Sequence, residues 1–174
     1  MNKAPSPTAP IEDGRRQAMR SAARRIDRVT VRLYVGGAIP TGEYRRFLDA
    51  GITHLVDVRK DSEVDVDVYL ALLDELRIAR LQVPVINHTA PTDEQLSRIA
   101  KWIEARDSVP VVYVHCGAGI GRAATIAVGI LLHQSVPLAD AIENVRKVRP
   151  EIHINDYQLS WLRTVEERLQ STHA

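Results

Sequence analysis

From residue 29 onward, short runs of β-branched residues alternate with segments that have helical periodicity. Alternation of this kind is typical of a sheet whose parallel strands are joined by crossover helices. We predict strands at Val31 to Val35, Thr53 to Val58, Ala79 to Val85 and Pro110 to His115. The chain is therefore expected to be an α/β protein with a central, mostly parallel sheet flanked by helices.

The segments between the predicted strands, and the last third of the chain, have the apolar spacing of helices. Thr92 and Gln95 form a capping box that opens one helix, and Pro137 and Pro150 separate the helices near the end. The predicted helices are Thr41 to Ala50, Val66 to Arg77, Thr92 to about Arg106, Ala123 to His133, Leu138 to Val148 and Asn155 to Leu169. We therefore expect a helical C-terminal third.

The first 28 residues differ in composition from the rest of the chain. Residues 1–14 carry three prolines and few apolar groups, so we expect a flexible tail. Residues 15–28 hold six arginines against Asp27. This basic segment could form a helix and bind anionic partners, but a solvated helix packed loosely on the domain is the simpler interpretation. We place the tail and basic segment at 1–28 and one folded domain at 29–174.

Net charge, apolar runs and cysteine content indicate which partners and which cellular location to expect. The formal net charge is +1, which gives no overall attraction to nucleic acid. No stretch of roughly 18 apolar residues is present, and the N-terminus lacks the apolar core of a signal peptide, so neither membrane insertion nor secretion is indicated. Cys116 is the one cysteine, so a reducing, cytoplasmic location is expected. The sequence does not specify an oligomeric state.

This cysteine lies where a predicted strand passes into a glycine-rich loop and then into a helix, over residues 110–125. The loop contains Gly117, Gly119 and Gly121. These glycines let consecutive backbone N–H groups turn inward, and the helix that begins near Arg122 points its positive end at the same place. Such a site attracts an oxyanion. Phosphate fits it because Arg122 can add a two-pronged guanidinium contact.

Cys116 would lie at the base of this phosphate cradle. The helix N-terminus and the nearby cation favour the charged thiolate, which makes the sulfur a nucleophile. A thiolate beneath a bound phosphate can displace an alcohol or phenol and form a cysteinyl-phosphate, which water then hydrolyses. This chemistry requires no metal and no cofactor.

Two other interpretations of the loop are weaker. Cys116 could be a small buried apolar residue, as free cysteines often are. The segment Gly119 to Ala124 also fits a dinucleotide-binding fingerprint, but that fold needs a second strand ending in an acidic residue about 20 positions on. Residues 123–148 instead have the pattern of two helices, with Asp140 inside one of them.

The sequence His115-Cys116-Gly117-Ala118-Gly119-Ile120-Gly121-Arg122 resembles the phosphate-binding loop of the cysteine-dependent protein tyrosine phosphatase superfamily. The similarity continues through Leu33 to Gly37, Val56 to Arg59, and Arg149 with Pro150, in the order and compact length of the dual-specificity branch. It covers roughly residues 30–165. The resemblance implies a phosphatase-type three-layer fold for the domain at 29–174.

The same resemblance implies a role for each residue of the loop. Cys116 is the nucleophile, Arg122 is the phosphate clamp, and His115 braces the cysteine and its loop. The phosphate would bind to Gly117, Ala118, Gly119, Ile120, Gly121 and Arg122. Nearer the C-terminus, Gln158 matches a glutamine that orients the hydrolytic water in some relatives, while Asn155 is expected to cap the last helix.

Two positions depart from the family pattern. A serine or threonine usually follows the arginine and assists departure of the thiolate, but here the residue is Ala123, and Thr125 is the nearby hydroxyl. Loss of one such donor typically costs about 10²–10³ in rate. The family also has an aspartic acid after the third strand as general acid. The expected position is Asn87, whose amide has no proton to give at neutral pH.

Three substitutes for the missing acid lie nearby in the sequence. They are His88, Asp93, and an acidic cluster of Asp61, Glu63, Asp65 and Asp67 that could fold over the pocket. Each has a plainer interpretation that we favour: a surface histidine, a helix-start acid stabilised by the dipole, and a solvated loop. Asp57 and Arg59 are expected to form a structural pair at a strand end.

The sequence therefore supports two hypotheses. The first is a dual-specificity-like protein phosphatase that hydrolyses phosphate monoesters through Cys116, with activity reduced by Asn87 and Ala123. The second is a pseudophosphatase that binds phosphorylated partners with little or no turnover. Because Ala118 and Ile120 are neutral, a phosphorylated protein or a small phosphate monoester is favoured over a polyphosphorylated ring.

Overall fold

The computed structural model describes residues 17, 20–105 and 109–172. The tail predicted over residues 1–14 lies outside the described residues. So do the first two arginines of the basic segment and the helix end predicted at about Arg106.

The described residues form a five-stranded sheet. Its strands are β1 (Ile26–Arg28), β2 (Leu33–Gly36), β3 (His54–Asp57), β4 (Ala79–Gln82) and β5 (Val112–His115). They lie in the order β1-β2-β5-β3-β4, with β1 antiparallel to β2 and the other neighbours parallel. The mostly parallel sheet predicted from the sequence is confirmed. All four predicted strands are present, each somewhat shorter than predicted.

Strand β1 lies inside the basic segment and has no predicted counterpart. A helix is wrong for Ile26 to Arg28, because these residues pair with the end of β2. Residues 20–23 are helical, with Arg20 and Ser21 exposed and Ala22 buried, so this turn is solvated on one side and packed on the other. The sheet thus begins ahead of the boundary expected at residue 29. Local periodicity does not detect a three-residue edge strand whose partner decides its structure.

The helices follow the predicted pattern with small shifts at their ends. They are α1 (Arg45–Asp49), α2 (Val66–Glu75), α3 (Asp93–Glu104), α4 (Arg122–His133), α5 (Leu138–Val148) and α6 (Asp156–Thr172), with short 3-10 helices at Thr41–Glu43 and Asp61–Glu63. At the start of α3, the Thr92 hydroxyl accepts from Gln95 N–H and the Gln95 side chain accepts from Thr92 N–H. The predicted capping box is therefore confirmed.

Two apolar layers hold the sheet between the helices. On one face, Phe47 of α1 and Tyr69 of α2 pack with Tyr113 of β5. On the other face, helices α3, α5 and α6 surround α4, in which every residue from Arg122 to Leu132 is buried. A helix that is buried all round lies at the centre of its layer. The three-layer α/β fold with a helical C-terminal third is confirmed.

The parallel strands bring their carboxyl ends to one edge of the sheet. Gly36, Asp57 and His115 end β2, β3 and β5 at the same level of the ladder. Ligands of open parallel sheets bind outside this edge. The loop 116–121 leaves β5 here and enters α4, so the fold places it where a ligand site is expected.

Candidate active site

Cys116 lies in a cavity of about 260 Å³ at the carboxyl edge of the sheet, with its side chain almost wholly buried. The cavity is lined by Asn87, His88, Cys116, Ala118, Ile120, Gly121, Arg122, His153, Asn155 and Gln158. A larger groove of about 570 Å³ lies among the ends of α3, α4 and α6, but neither a cysteine nor an arginine lines it. The nucleophile and the phosphate clamp expected from the sequence, Cys116 and Arg122, therefore both line the smaller cavity.

Gly119 brings the loop backbone to the sulfur. Its N–H donates to Cys116 Sγ at 3.1 Å, and its φ is +71°, a region that favours glycine. A Cβ at Gly119 would lie 2.2 Å from the backbone of Gly36. Glycine is also needed at the end of β2, where a Cβ at Gly36 would lie 2.3 Å from the Tyr113 hydroxyl, and at Gly37, where a Cβ would lie 2.7 Å from the Gly117 carbonyl of the loop.

The back of the loop is held by Arg149, the fully buried residue before Pro150. Its guanidinium donates to the carbonyl oxygens of Gly119 at 2.6 Å and Ala118 at 2.8 Å. Because these carbonyls point toward Arg149, the loop presents its other side, with its amides, to the cavity. The sequence marks Arg149 only as part of a motif, since about 30 residues separate it from the loop.

His115 lies behind the cysteine as a neutral imidazole. Burial lowers its pKa to about 4, although Asp57 acts in the opposite direction. The Tyr69 hydroxyl lies 3.0 Å from His115 Nε2. Burial raises the pKa of Tyr69, so this hydroxyl keeps its proton and forms a hydrogen bond with Nε2. Sequence reasoning identifies His115 as a brace but does not find Tyr69, which comes from a different layer of the fold.

Asp57 and two arginines complete the buried polar group beneath His115. The Asp57 carboxylate accepts from Arg59 Nε at 2.9 Å and from Arg80 Nη2 at 3.1 Å. The predicted pair of Asp57 with Arg59 is confirmed, and Arg80 is an addition. Both guanidiniums also lie over the Tyr69 ring, at 5.2 and 5.0 Å from its centroid. These contacts fix the side of His115 that faces away from the cavity.

Arg122 begins α4 and points into the cavity, where Glu63 holds it. The Glu63 carboxylate accepts from both terminal nitrogens of Arg122, at 3.1 and 3.0 Å, and Arg122 Nη1 also donates to the Val85 carbonyl at 3.1 Å. The hydrogen bond from Arg122 lowers the pKa of Glu63. Glu63 is thus the member of the acidic cluster that reaches the site, and it is ionised rather than a proton donor.

The candidate acids occupy different places. Asn87 and His88 line the cavity, whereas Asp93 faces α6, where Trp161 Nε1 donates to it at 3.0 Å and Arg168 pairs with it. The hydrogen bond from Arg168 lowers the pKa of Asp93, which keeps it ionised. The structure thus places Asp93 at the start of α3 and in contact with α6, in agreement with the favoured interpretation of a helix-start acid, and not among the residues that line the cavity. Among the described residues that line the cavity, none is a carboxylic acid.

The segment that carries His88 is fastened to the start of α6. Asn155 Nδ2 donates to the His88 carbonyl and Gln158 Nε2 donates to the Thr89 carbonyl, both at 2.9 Å. Asn155 and Gln158 also bond each other's backbone N–H groups, at 2.9 and 3.1 Å, so the predicted cap of the last helix is confirmed. His88 itself has a φ of +65°, a conformation that histidine adopts more readily than most residues.

Thr125 and His153 are two further residues close to the phosphate loop. Thr125 Oγ1 donates to the Gly121 carbonyl at 3.0 Å, so this hydroxyl bonds the helix backbone rather than the sulfur. His153 lines the cavity, and its backbone N–H donates to the Ile120 carbonyl at 3.0 Å. Sequence reasoning does not find His153, because no motif marks its position.

Two features are absent from the described residues. No group of three or more His, Cys, Asp or Glu side chains in the described ranges could hold a metal ion. No helix within the same ranges combines the length and the apolar character needed to cross a membrane.

A cysteine inside an amide-lined loop, an arginine at the following helix and a mostly parallel sheet define a member of the cysteine-dependent protein tyrosine phosphatase superfamily. The family model described as "Swiss Army Knife protein, DSP-PTPase phosphatase domain" matches residues 38–174. The chain belongs to this family of dual-specificity-type phosphatases. The resemblance stated from the sequence is confirmed.

Individual relatives support the same assignment. The chain is 27% identical to Dual specificity phosphatase 28 of Homo sapiens over 167 residues, which cover 93% of this chain and 89% of that protein. It is 30% identical to Dual specificity protein phosphatase 12 of Homo sapiens over 162 residues, but spans only 46% of that protein's length. The solved active form of Tk-PTP has a TM-score of 0.72 and 26% identity, covering 82% of this chain and 97% of that one.

Proposed function

We propose that this phosphatase hydrolyses phosphate monoesters through a cysteinyl-phosphate on Cys116. The observation that carries the proposal is the Gly119 N–H bond to Cys116 Sγ within a cavity that Arg122 also lines. In the first step the thiolate sulfur bonds to phosphorus as the P–O bond to the alcohol or phenol breaks, and the leaving oxygen takes a proton. In the second step water attacks phosphorus, the S–P bond breaks, and orthophosphate leaves.

Arg122 would hold the equatorial phosphate oxygens together with the loop amides of residues 117–121. Both terminal nitrogens of Arg122 donate to Glu63, and Nη1 also donates to the Val85 carbonyl. These contacts anchor the guanidinium. A guanidinium has five N–H donors in a fixed plane. We assign Nε and the remaining hydrogen of Nη2 to phosphate. Glu63 then serves to orient Arg122 before the ligand arrives.

The other site residues have supporting roles in this proposal. His115 braces the cysteine from behind, with its ring fixed by Tyr69. Gln158 lies in the cavity wall beside Gly121 and could orient the attacking water through its amide, although both ends of that amide already have backbone partners. With Ala123 in place of a hydroxyl residue, breakdown of the cysteinyl-phosphate is expected to be the slow step.

We propose His88 as the source of the leaving-group proton. Asn87 has no proton to give, Asp93 contacts α6, and Glu63 is ionised, whereas His88 is an exposed residue that lines the cavity. An imidazole can donate a proton near neutral pH. Phenolic leaving groups need less protonation than alkyl ones, so aryl phosphates such as phosphotyrosine are expected to react faster than alkyl phosphates.

The proposed substrates are phosphorylated proteins or small phosphate monoesters. The support is the neutral character of the loop side chains, Ala118 and Ile120, which offer no extra cations for a polyphosphorylated ring. We also propose a cytoplasmic location, because the mechanism requires Cys116 to remain reduced.

One assay tests the enzyme proposal against the binding alternative. Hydrolysis of p-nitrophenyl phosphate is measured for the wild type, Cys116→Ser and His88→Asn, and the phosphoenzyme is trapped by acid quench. We expect turnover and trapped phosphate in the wild type, neither in Cys116→Ser, and in His88→Asn a larger loss on alkyl than on aryl phosphates. Wild-type turnover no greater than that of the serine variant, with phosphate binding retained, would instead establish a pseudophosphatase.

A further inference from the structure

Residues 22–28 lie behind the phosphate loop and outside the region that defines the family. The family model begins at residue 38, and composition placed the domain boundary at residue 29. Yet Ala22 is buried, and residues 26–28 form the edge strand β1. We call residues 22–28 the N-terminal strap.

The strap binds the same guanidinium that holds the loop. Arg149 Nη1 donates to Asp27 Oδ2 at 2.6 Å, and Arg149 Nη2 donates to the Ala22 carbonyl at 2.8 Å. The remaining contacts of Arg149 are the carbonyls of Gly119 and Ala118 on the loop. One side chain therefore joins the strap to the backbone that surrounds Cys116.

A guanidinium without exposed surface requires an opposite charge beside it, because burial of an unpaired charge is costly. Asp27 is the carboxylate that the described contacts place on Arg149, and its own side chain is only 13% exposed. With Asp27 in place, Arg149 can direct its other donors to Gly119 and Ala118. Without Asp27, the guanidinium would move toward solvent or another acceptor and release these carbonyls.

We propose that Asp27 is a positioning residue of the phosphate site, which acts through Arg149 to keep the loop carbonyls turned back and the loop amides turned toward the ligand. This proposal rests on the function proposed above. The strap is then part of the functional site, although it precedes residue 38, where the family model begins.

Further contacts hold the strap in place. Arg25 forms a two-pronged pair with Glu151, at 2.8 and 2.9 Å, and also bonds Asp27 at 3.1 Å. Gly37 passes so close to the strap that a Cβ there would lie 2.5 Å from the Ala23 carbonyl. By contrast, Arg24 points outward and pairs with Glu43 at the surface, which makes it a control from the same segment.

The test compares Asp27→Asn, Asp27→Glu and the control Arg24→Ala in the full chain. The probe is inorganic phosphate, whose affinity is measured as protection of Cys116 against alkylation by iodoacetate. We expect Asp27→Asn to weaken phosphate binding about tenfold or more, Asp27→Glu to restore most of the loss, and Arg24→Ala to bind within about twofold of the wild type. Each variant is assayed well below its own melting temperature.

The direction of the change in phosphate affinity distinguishes a positioning role of Asp27 from a long-range effect of its charge. Removing a negative charge near an anion site should by itself strengthen phosphate binding, so a weakened affinity in Asp27→Asn can only come through displaced groups. If Asp27→Asn does not fold, Arg25→Met tests the same strap with Asp27 intact, and we expect about two- to fivefold weaker binding. Wild-type affinity in every folded strap variant overturns this inference alone. A wild type that does not bind phosphate overturns the proposed function, and this inference with it.

Discussion

The two sides of the phosphate loop are built differently. On the back, Arg149, Gly36, Gly37 and Tyr113 are buried, and the hydrogen bonds that the Arg149 guanidinium and the Tyr113 hydroxyl donate to backbone carbonyls of Gly37, Ala118 and Gly119 are 2.6 to 2.8 Å long. On the cavity side, the loop shows small neutral side chains, and Arg122 is the charged group that it offers. The backbone carbonyls on the back are thus bonded by the protein itself, whereas we propose that the cavity side binds the ligand.

This difference indicates how a chain with so few polar residues in the loop can bind an oxyanion. The carbonyls of residues 117–121 accept hydrogen bonds from Ala38, Arg149, His153 and Thr125, and we propose that the loop N–H groups face the cavity. Fixed dipoles of this kind need little reorganisation when charge develops on a substrate, which is the basis of electrostatic catalysis. The strap, Arg149, Gly36 and Gly37 therefore contribute to the shape of the loop.

The largest expected effect comes from adding one methyl group on the back of the loop. Gly119→Ala forces an alanine into a positive φ and places its Cβ against the backbone of Gly36 and Gly37. We expect destabilisation of about 3 kcal/mol or more, with loss of phosphate binding. Gly117→Ala in the same loop is the matched control, since a Cβ there meets no atom within 4 Å. Equal stability of the two variants, by chemical denaturation, would contradict the comparison.

The next largest effect is expected from the buried imidazole of His115, which makes the free energy of unfolding depend on pH. Because burial lowers the pKa of His115 to about 4, the unfolded chain takes up this proton as pH falls below about 6.5 while the native state does not. The free energy of unfolding should therefore fall by about 3 kcal/mol between pH 6.5 and 4, and His115 should contribute nothing further above pH 6.5.

The pH effect is isolated by a difference measurement. His133 also has its pKa lowered by burial and contributes with the same sign. His115→Gln should flatten the slope of stability against pH between 4 and 6.5, while His133→Gln leaves most of it. Parallel slopes for the wild type and His115→Gln would show that His115 is not a neutral, buried group.

A smaller effect is expected on the cavity side, at the residue that follows Arg122. Ala123→Ser restores a hydroxyl at the start of α4, and we expect breakdown of the cysteinyl-phosphate to accelerate about tenfold, because a positioned donor stabilises the departing thiolate. Rapid-quench measurement of phosphoenzyme decay checks this. Ala124→Ser, also fully buried in the first turn of α4, is the control and should not accelerate decay.

The smallest effect is expected at Glu63, whose side chain is about one-third exposed. Glu63→Gln keeps one acceptor for Arg122 but removes the charge, so kcat/KM should fall about threefold, a modest loss because solvent screens the pair. Asp67→Asn removes the same charge from the exposed start of α2 and serves as control. An equal change in both variants would mean that Glu63 acts only through net charge.

Much of this arrangement could be predicted where the determining residues are close in sequence. The strand, loop and helix around Cys116 follow from a β-branched run, three glycines and an apolar helix within 25 residues of one another. The capping boxes at Thr92 and Asn155 are equally local. Local patterns of this kind report backbone preference directly, so β5, α3, α4 and the phosphate loop were all expected.

The contacts that hold the loop could not be predicted in the same way. Tyr69 and His115 are 46 residues apart, Glu63 and Arg122 are 59 apart, and Asp27 and Arg149 are 122 apart. Each pair meets because parallel strands bring their carboxyl ends together and the C-terminal helices return to that edge. Nothing in the local sequence pattern distinguishes Asp27, whose side chain is largely buried against Arg149, from Arg24, whose side chain is at the surface.

The amino-acid sequence by itself determined the order of strands and helices, the position of the sulfur between a strand and a helix, and the small neutral side chains around it, because backbone preference and steric size act over a few residues. Tertiary structure alone decided that β1 joins the sheet, that Asp93 turns to α6, and that Arg149 ties the strap to the loop. Burial and charge pairing bring about those outcomes, and they arise only when distant parts of the chain are packed together.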